Sequence, residues 1–116
     1  MRRATLGANG DTITRFLRAV RLSLVDMLDG KADIETVLTR IAPFEVVEAR
    51  NPVTAPDLLR NEMQFWLSAG RNNILRNVPD RWARGYALMA AAGFTPKGGD
   101  VTRLYDNTVV DHSRAG

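Results

Sequence analysis

A chain of 116 residues, 45% hydrophobic and 25% charged, holds one domain, since two independently stable cores would need roughly 100 residues each. The apolar share excludes wholesale disorder, and stretches such as 87–92 fall far short of the roughly 20 apolar residues that span a bilayer. Zero cysteines exclude disulfides, thiolate nucleophiles, iron–sulfur clusters and cysteine-bound zinc, and the formal charge is only +3.

The start, Met1-Arg2-Arg3 followed by 4–10, has no apolar h-region behind its charges. It points away from a secretory signal and toward the cytoplasm or an assembly built there. Residues 1–10 read as a polar tail and 11–94 as a helical domain. Asp11 is a fair N-cap, and Ile13, Phe16, Leu17, Val20, Leu24, Met27 and Leu28 then make one face of a 3.6-period helix that ends at Asp29-Gly30. Asp33 can cap a second helix through Ile34, Val37, Leu38 and Ile41, stopped by Pro43.

Phe44 to Arg50, with Val46-Val47 between Glu45 and Glu48, suits a short strand or an extended connection. Asn51 to Pro56 is a loop, and Thr54 with Asp57 forms a loose capping box for a third helix. That helix carries Leu59, Met63 and Trp66 on one stripe, with Leu58, Phe65 and Leu67 widening it, and ends at Gly70 or runs on through Ile74 and Leu75. Pro79 opens a fourth helix with Trp82, Tyr86 and Met89 on one side and Ala83, Gly85, Ala87, Ala90 and Ala91 on a smoother one. Gly93-Phe94 matches a Schellman ending with Phe94 folded back.

From 95 to 116 the composition shifts to Gly, Asp, Thr and Asn, which reads as an extended tail. Val101, Leu104 and Tyr105 fit a helical turn there and Thr108 to Val110 a scrap of strand, and a piece of this tail is available to pair with Phe44–Arg50. The expected fold class is therefore mainly α, a small four-helix domain with polar extended tails and at most a minor two-stranded β pairing. Its core would hold Phe16, Leu17, Val20, Leu24, Leu28, Ile34, Leu38, Ile41, Met63, Trp66, Trp82, Tyr86 and Met89.

Catalysis needs a poised acid, base, nucleophile or metal. The sole histidine, His112, sits in the polar tail, and its spacing from Asp106 and Asp111 matches no zinc or calcium loop. Glu45, Glu48 and Arg50 resemble the acid-x-base end of a metal-dependent nuclease strand but lack its upstream acid and lysine, so they read as solvent-facing edge positions. Gly98-Gly99-Asp100 has no Lys-Ser/Thr after it and is a turn, not a phosphate cradle. The expectation is a protein that is not an enzyme and takes no metal or cofactor.

Fourteen of the sixteen basic residues are arginine, the cation whose planar fork binds carboxylate or phosphate at two points; GC-rich codon usage gives the same excess. The segment from Arg71 to Arg84 gathers Arg71, Asn72, Asn73, Arg76, Asn77, Arg81 and Arg84 where two helices meet, against one Asp80. Arg15, Arg18 and Arg21 occupy the first half of helix one, whereas Asp26 and Asp29 stand at its C-terminal end, against the helix dipole. These ten Arg and Asn residues are the candidate partner-binding set. The expected function is a non-catalytic interaction protein: a small subunit, adaptor or inhibitor, in a viral or other large assembly. It would meet a protein partner or neighbouring subunits of acidic surface through the Arg-rich corner and its tails, away from membranes. A nucleic-acid-binding module using the same arginines is the alternative, with Trp82 stacking on a base.

Overall fold

Residues 3–115 are described by a computed structural model, with side chains from Thr5 onward. The fold is mainly helical, as expected. Among the described residues five α-helices run in the order α1 (Arg3–Leu28), α2 (Ile34–Ile41), α3 (Ala55–Leu67), α4 (Pro79–Ala91) and α5 (Thr108–His112). Short 3₁₀ turns at Ala42–Phe44, Val47–Ala49, Arg71–Asn73 and Val101–Leu104 join them.

Among the described residues there is no strand, so the two-stranded pairing is corrected. Pro43 starts a 3₁₀ turn, and Glu45 then takes a left-handed conformation (φ 53°) that breaks any extended run through Phe44–Arg50. At the other end, the Asp106 carboxylate accepts the Thr108 N–H at 2.7 Å and starts α5 where strand was expected.

The chain divides into two compact units, one formed by the residues up to Arg18 with those from Leu75 onward, the other by Ala19–Ile74. In the Ala19–Ile74 unit, α1 ends at Gly30 (φ 69°), whose neighbour Lys31 donates its N–H back to Asp26 O at 2.8 Å. Asp33 caps α2 as expected, its carboxylate accepting from Thr36 N at 2.9 Å. Thr54, by contrast, makes no side-chain cap to α3; the Asn51 side-chain oxygen takes the Val53 N–H at 3.0 Å instead, and Pro56 supplies the first turn. Helix α3 stops before Gly70 (φ 86°) and does not continue to Ile74. Buried here are Met27, Ala55, Pro56 and Ile74.

In the other unit, the stretch expected to be a tail is helical from Arg3, with Asn9 (φ −125°, ψ 19°), next to Gly10, marking a kink inside α1. Asp11 is therefore no cap; it pairs with Arg15 one turn on, at 2.8 Å. Helix α4 starts at Pro79 and closes on Gly93 (φ 83°), with Phe94 N bonded to Met89 O at 2.9 Å. The backbone part of the Schellman ending is present, but the Phe94 ring stays 75% exposed. Residues 95–115 include a 3₁₀ turn and α5, with Val110 in that helix and Ser113 just past it buried.

The expected core is largely uncovered. Phe16 is 64% exposed, Trp82 37% and Met89 47%, and most of the other expected core positions are half-buried. Thirteen large apolar side chains are exposed among the described residues, whereas only Met27, Ala55, Ile74 and Val110 form a buried apolar core. The chain presents 8587 Å² to solvent.

Candidate functional site

The ten candidate residues do not form one patch. Arg71 follows Gly70 in its 3₁₀ turn and donates to the Asp29 carboxylate, beside which Lys31 Nζ stands at 3.7 Å. That hydrogen bond is the main reason the Asp29 carboxyl is held below its usual range. The acid placed against the α1 dipole thus serves Arg71, and the cations beside it offset the misfit. Asn73 turns inward to donate to Ala69 O at 2.7 Å, while Asn72 is exposed. Arg21 is half-buried, its Nε inaccessible and without a hydrogen-bond acceptor among the described residues.

In the unit formed by α4, α5 and the first part of α1, Arg18 donates from Nε to Ser113 O at 3.1 Å and from Nη2 to Ala115 O at 2.7 Å. It caps the end of α5, where carbonyls lack helical partners. Arg76 grips Asp111: Nη2 bonds Oδ2 at 3.1 Å, and Nε lies 2.9 Å from Oδ1, close but not aimed along the N–H. Arg18 and Arg76, expected to face a partner, thus hold the C-terminal segment. Arg15 is exposed beside Asp11, and Arg81 and Arg84 are exposed on α4.

Asn77 is also structural. Its backbone N–H donates to Asn107 Oδ1 at 2.8 Å, and Asn107 Nδ2 donates back to Asn77 O at 2.8 Å, a reciprocal clamp across 30 residues. Asn77 Oδ1 then accepts the indole N–H of Trp82 at 3.1 Å. The Trp82 ring stacks on Tyr105, centroids 5.7 Å apart and planes 26° apart, which occupies one of its faces.

Beside that stack lies an apolar pocket of about 400 Å³ walled by Trp82, Tyr86, Met89 and Leu104 over Gly85, with Arg81 and Thr95 at its margin. The polar tips of the walls point elsewhere: Trp82 to Asn77, and the Tyr86 hydroxyl to Pro96 O at 2.7 Å. What faces the cavity is ring and thioether. Thr95 Oγ1 is buried there without a hydrogen-bond partner among the described residues.

The other carboxylates held below their usual range are Asp33 and Asp100, each a local cap: Thr36 N–H lowers Asp33, and the Thr102 hydroxyl and N–H lower Asp100. His112 is exposed. Among the described residues no three His, Asp or Glu side chains gather as a metal-binding group, and no helix is long and apolar enough to cross a membrane. Periodicity missed the Asn77–Asn107 clamp and the pocket. The Asp-x-Thr spacings at 100–102 and 106–108 were the local signal that the C-terminal segment turns and does not trail.

No family model matches this chain, and neither does any curated protein or solved structure.

Proposed function

We propose that this protein is a non-catalytic interaction subunit that works by covering its apolar faces with another protein. The observation that carries this reading is the balance of exposed and buried apolar side chains among the described residues: rings such as Phe44 at 78% and Phe94 at 75% lie open, while the buried apolar core is Met27, Ala55, Ile74 and Val110. A binding role also fits the titratable groups, since the carboxylates with shifted pKa are tied up in caps and an ion pair and do not converge.

The arginines have a different place in this reading from the one their clustering gave them. Arg18, Arg71 and Arg76 are occupied within the chain. Exposed Arg84 stands beside exposed apolar residues of α4, a polar neighbour of the kind that fixes orientation on an acidic partner.

The test uses the purified chain with 1-anilinonaphthalene-8-sulfonate as a probe of open apolar surface, alongside circular dichroism. Strong dye fluorescence from a helical chain, suppressed as protein concentration rises or a bound protein is added, is the expected result. A helical chain that leaves the dye dark and sediments without associating overturns the reading. The nucleic-acid alternative is checked in the same preparation by a mobility shift on duplex and single-stranded probes at two salt concentrations. With Trp82 already stacked and three arginines occupied, no shift is expected even at low salt.

A further inference from the structure

We propose that Asn9 is a site of spontaneous covalent modification: the backbone nitrogen of Gly10 attacks its side-chain amide, and the kink of α1 ends as a mixture of aspartate and isoaspartate. The reaction needs no partner, only solvent water.

Gly10 N bonds to Asn9 Cγ and closes a succinimide ring, while the Cγ–Nδ2 bond breaks and ammonia leaves with the Gly10 proton. Water then opens the ring, its hydroxyl going to a carbonyl carbon and its hydrogen to the Gly10 nitrogen. Opening at Cγ gives aspartate. Opening at the main-chain carbonyl gives isoaspartate, with a methylene inserted in the main chain. Either product carries a carboxylate where the amide stood, and a carboxylate cannot donate to Thr5 O as Asn9 Nδ2 does.

Three observations carry it. The first is access of the nucleophile. Asn9-Gly10 is the sole Asn-Gly pair in the sequence, and glycine brings no Cβ to hinder its nitrogen. Asn51 precedes Pro52, which has no N–H to lose, and Asn73, Asn77 and Asn107 precede β-branched Ile74, Val78 and Thr108. The second is backbone geometry. Ring closure takes the asparagine backbone out of the helical region, which a helix interior resists. Asn9 already stands outside that region, at φ −125° and ψ 19°. The third is the weak hold on the amide. Asn9 is exposed, and its side chain makes one hydrogen bond among the described residues, to Thr5 O at 3.4 Å, well beyond the usual length of about 2.9 Å.

The comparable positions are closed to this chemistry. Asp29-Gly30 has the same glycine, but Arg71 holds the Asp29 carboxylate and Gly30 N donates to Met27 O at 3.1 Å. The Asp29 carboxyl, kept ionised chiefly by that hydrogen bond, is also a poor electrophile. Asn73 is tied to Ala69 O at 2.7 Å, and Asn77 and Asn107 clamp each other.

Incubation of the full chain at neutral pH and physiological temperature, followed by trypsin and mass spectrometry, tests this. Cleavage after Arg3 and Arg15 releases peptide 4–15, whose only asparagine is Asn9. That peptide is expected to gain the mass difference between amide and acid, and to split into aspartate and isoaspartate forms, before any other asparagine changes. Gly10→Ala, whose Cβ meets nothing within 4 Å, keeps the fold and is expected to slow the reaction by about tenfold, a modest rise in its barrier. A synthetic 4–15 peptide supplies the rate of an unconstrained Asn-Gly, and the folded chain is expected to react within about tenfold of it. A folded chain slower than that means α1 locks the backbone at Asn9, which overturns the proposal. So does a Gly10→Ala chain that reacts at the unsubstituted rate, or the loss of another amide first.

Discussion

Asn107 does the work of a strand edge with one side chain: its amide accepts the Asn77 N–H and donates to the Asn77 carbonyl, both at 2.8 Å. Two backbone groups on a half-buried connection are satisfied this way, and neither has a helical partner to fall back on. Asn107→Ala leaves both unsatisfied and is expected to cost about 2 kcal/mol, measured by urea denaturation. Asn107→Asp keeps the acceptor, loses the donor, and should fall between. Gly99 offers a sharper case. A Cβ there would run into the hydroxyl end of Tyr86, which is itself held by Pro96 O. Gly99→Ala is therefore expected to push the ring out of its bond and destabilise by about 1–3 kcal/mol, with Gly98→Asn as a milder neighbouring change.

At the scale of elements, α2 shows how much a cap controls. The Asp33 carboxyl is lowered first by the Thr36 N–H and next by the Thr36 hydroxyl. A depressed folded-state pKa means stability that is present above the ordinary value of 3.8 and lost as pH falls through the lowered one. Asp29 and Asp100 carry the same sign. The thermal midpoint is thus expected to be flat above about pH 5 and to drop below about pH 4. Asp33→Asn, an equally good cap, should leave the midpoint at neutral pH nearly unchanged and make the acid drop shallower. Asp33→Ala should lower the midpoint at neutral pH as well. Circular dichroism against pH reads both.

The same helix explains what the sequence made legible. The cap at Asp33, the stop at Gly30, the start at Pro79 and the turn at Gly93 are decided within five residues, and all were readable. The clamp joins residues 30 apart, and the Arg18 bonds to Ser113 and Ala115 join residues 95 and 97 apart, distances at which spacing carries no information. Arginine clustering does not say which of these cations the chain itself occupies, and Arg18, Arg71 and Arg76 hold groups of their own chain. Periodicity had a second blind spot: it locates an apolar face but does not say what covers it. Phe16, Trp82 and Met89 lie on the predicted faces and are nevertheless exposed.

For the whole molecule, the division into two units meets a convenient fact: of its two tryptophans, Trp66 belongs to Ala19–Ile74 and Trp82 to the other unit. An extended tail, as the sequence reads 95–116, would be removable with the helices left folded. The structure gives that segment more to hold. It supplies buried Val110, the Tyr105 face against Trp82, the Asn107 clamp, and the acceptors of Arg18 and Arg76. Burial of one valine, one aromatic pair and two backbone hydrogen bonds together amount to about 5 kcal/mol, a large share of the 5–15 kcal/mol that keeps a domain folded. Chain ending at Phe94 is therefore expected to lose helicity in α4, with Trp82 emission shifting to that of a solvated indole when Trp66→Phe removes the other signal. Trp66, read in a Trp82→Phe background, should keep its emission, because the Asp33 cap, the Gly30 turn and the Arg71–Asp29 pair all lie within Ala19–Ile74. An unchanged Trp82 in the shortened chain would return the C-terminal segment to the status of a free tail, and a simultaneous change in both would mean that the two units fold as one.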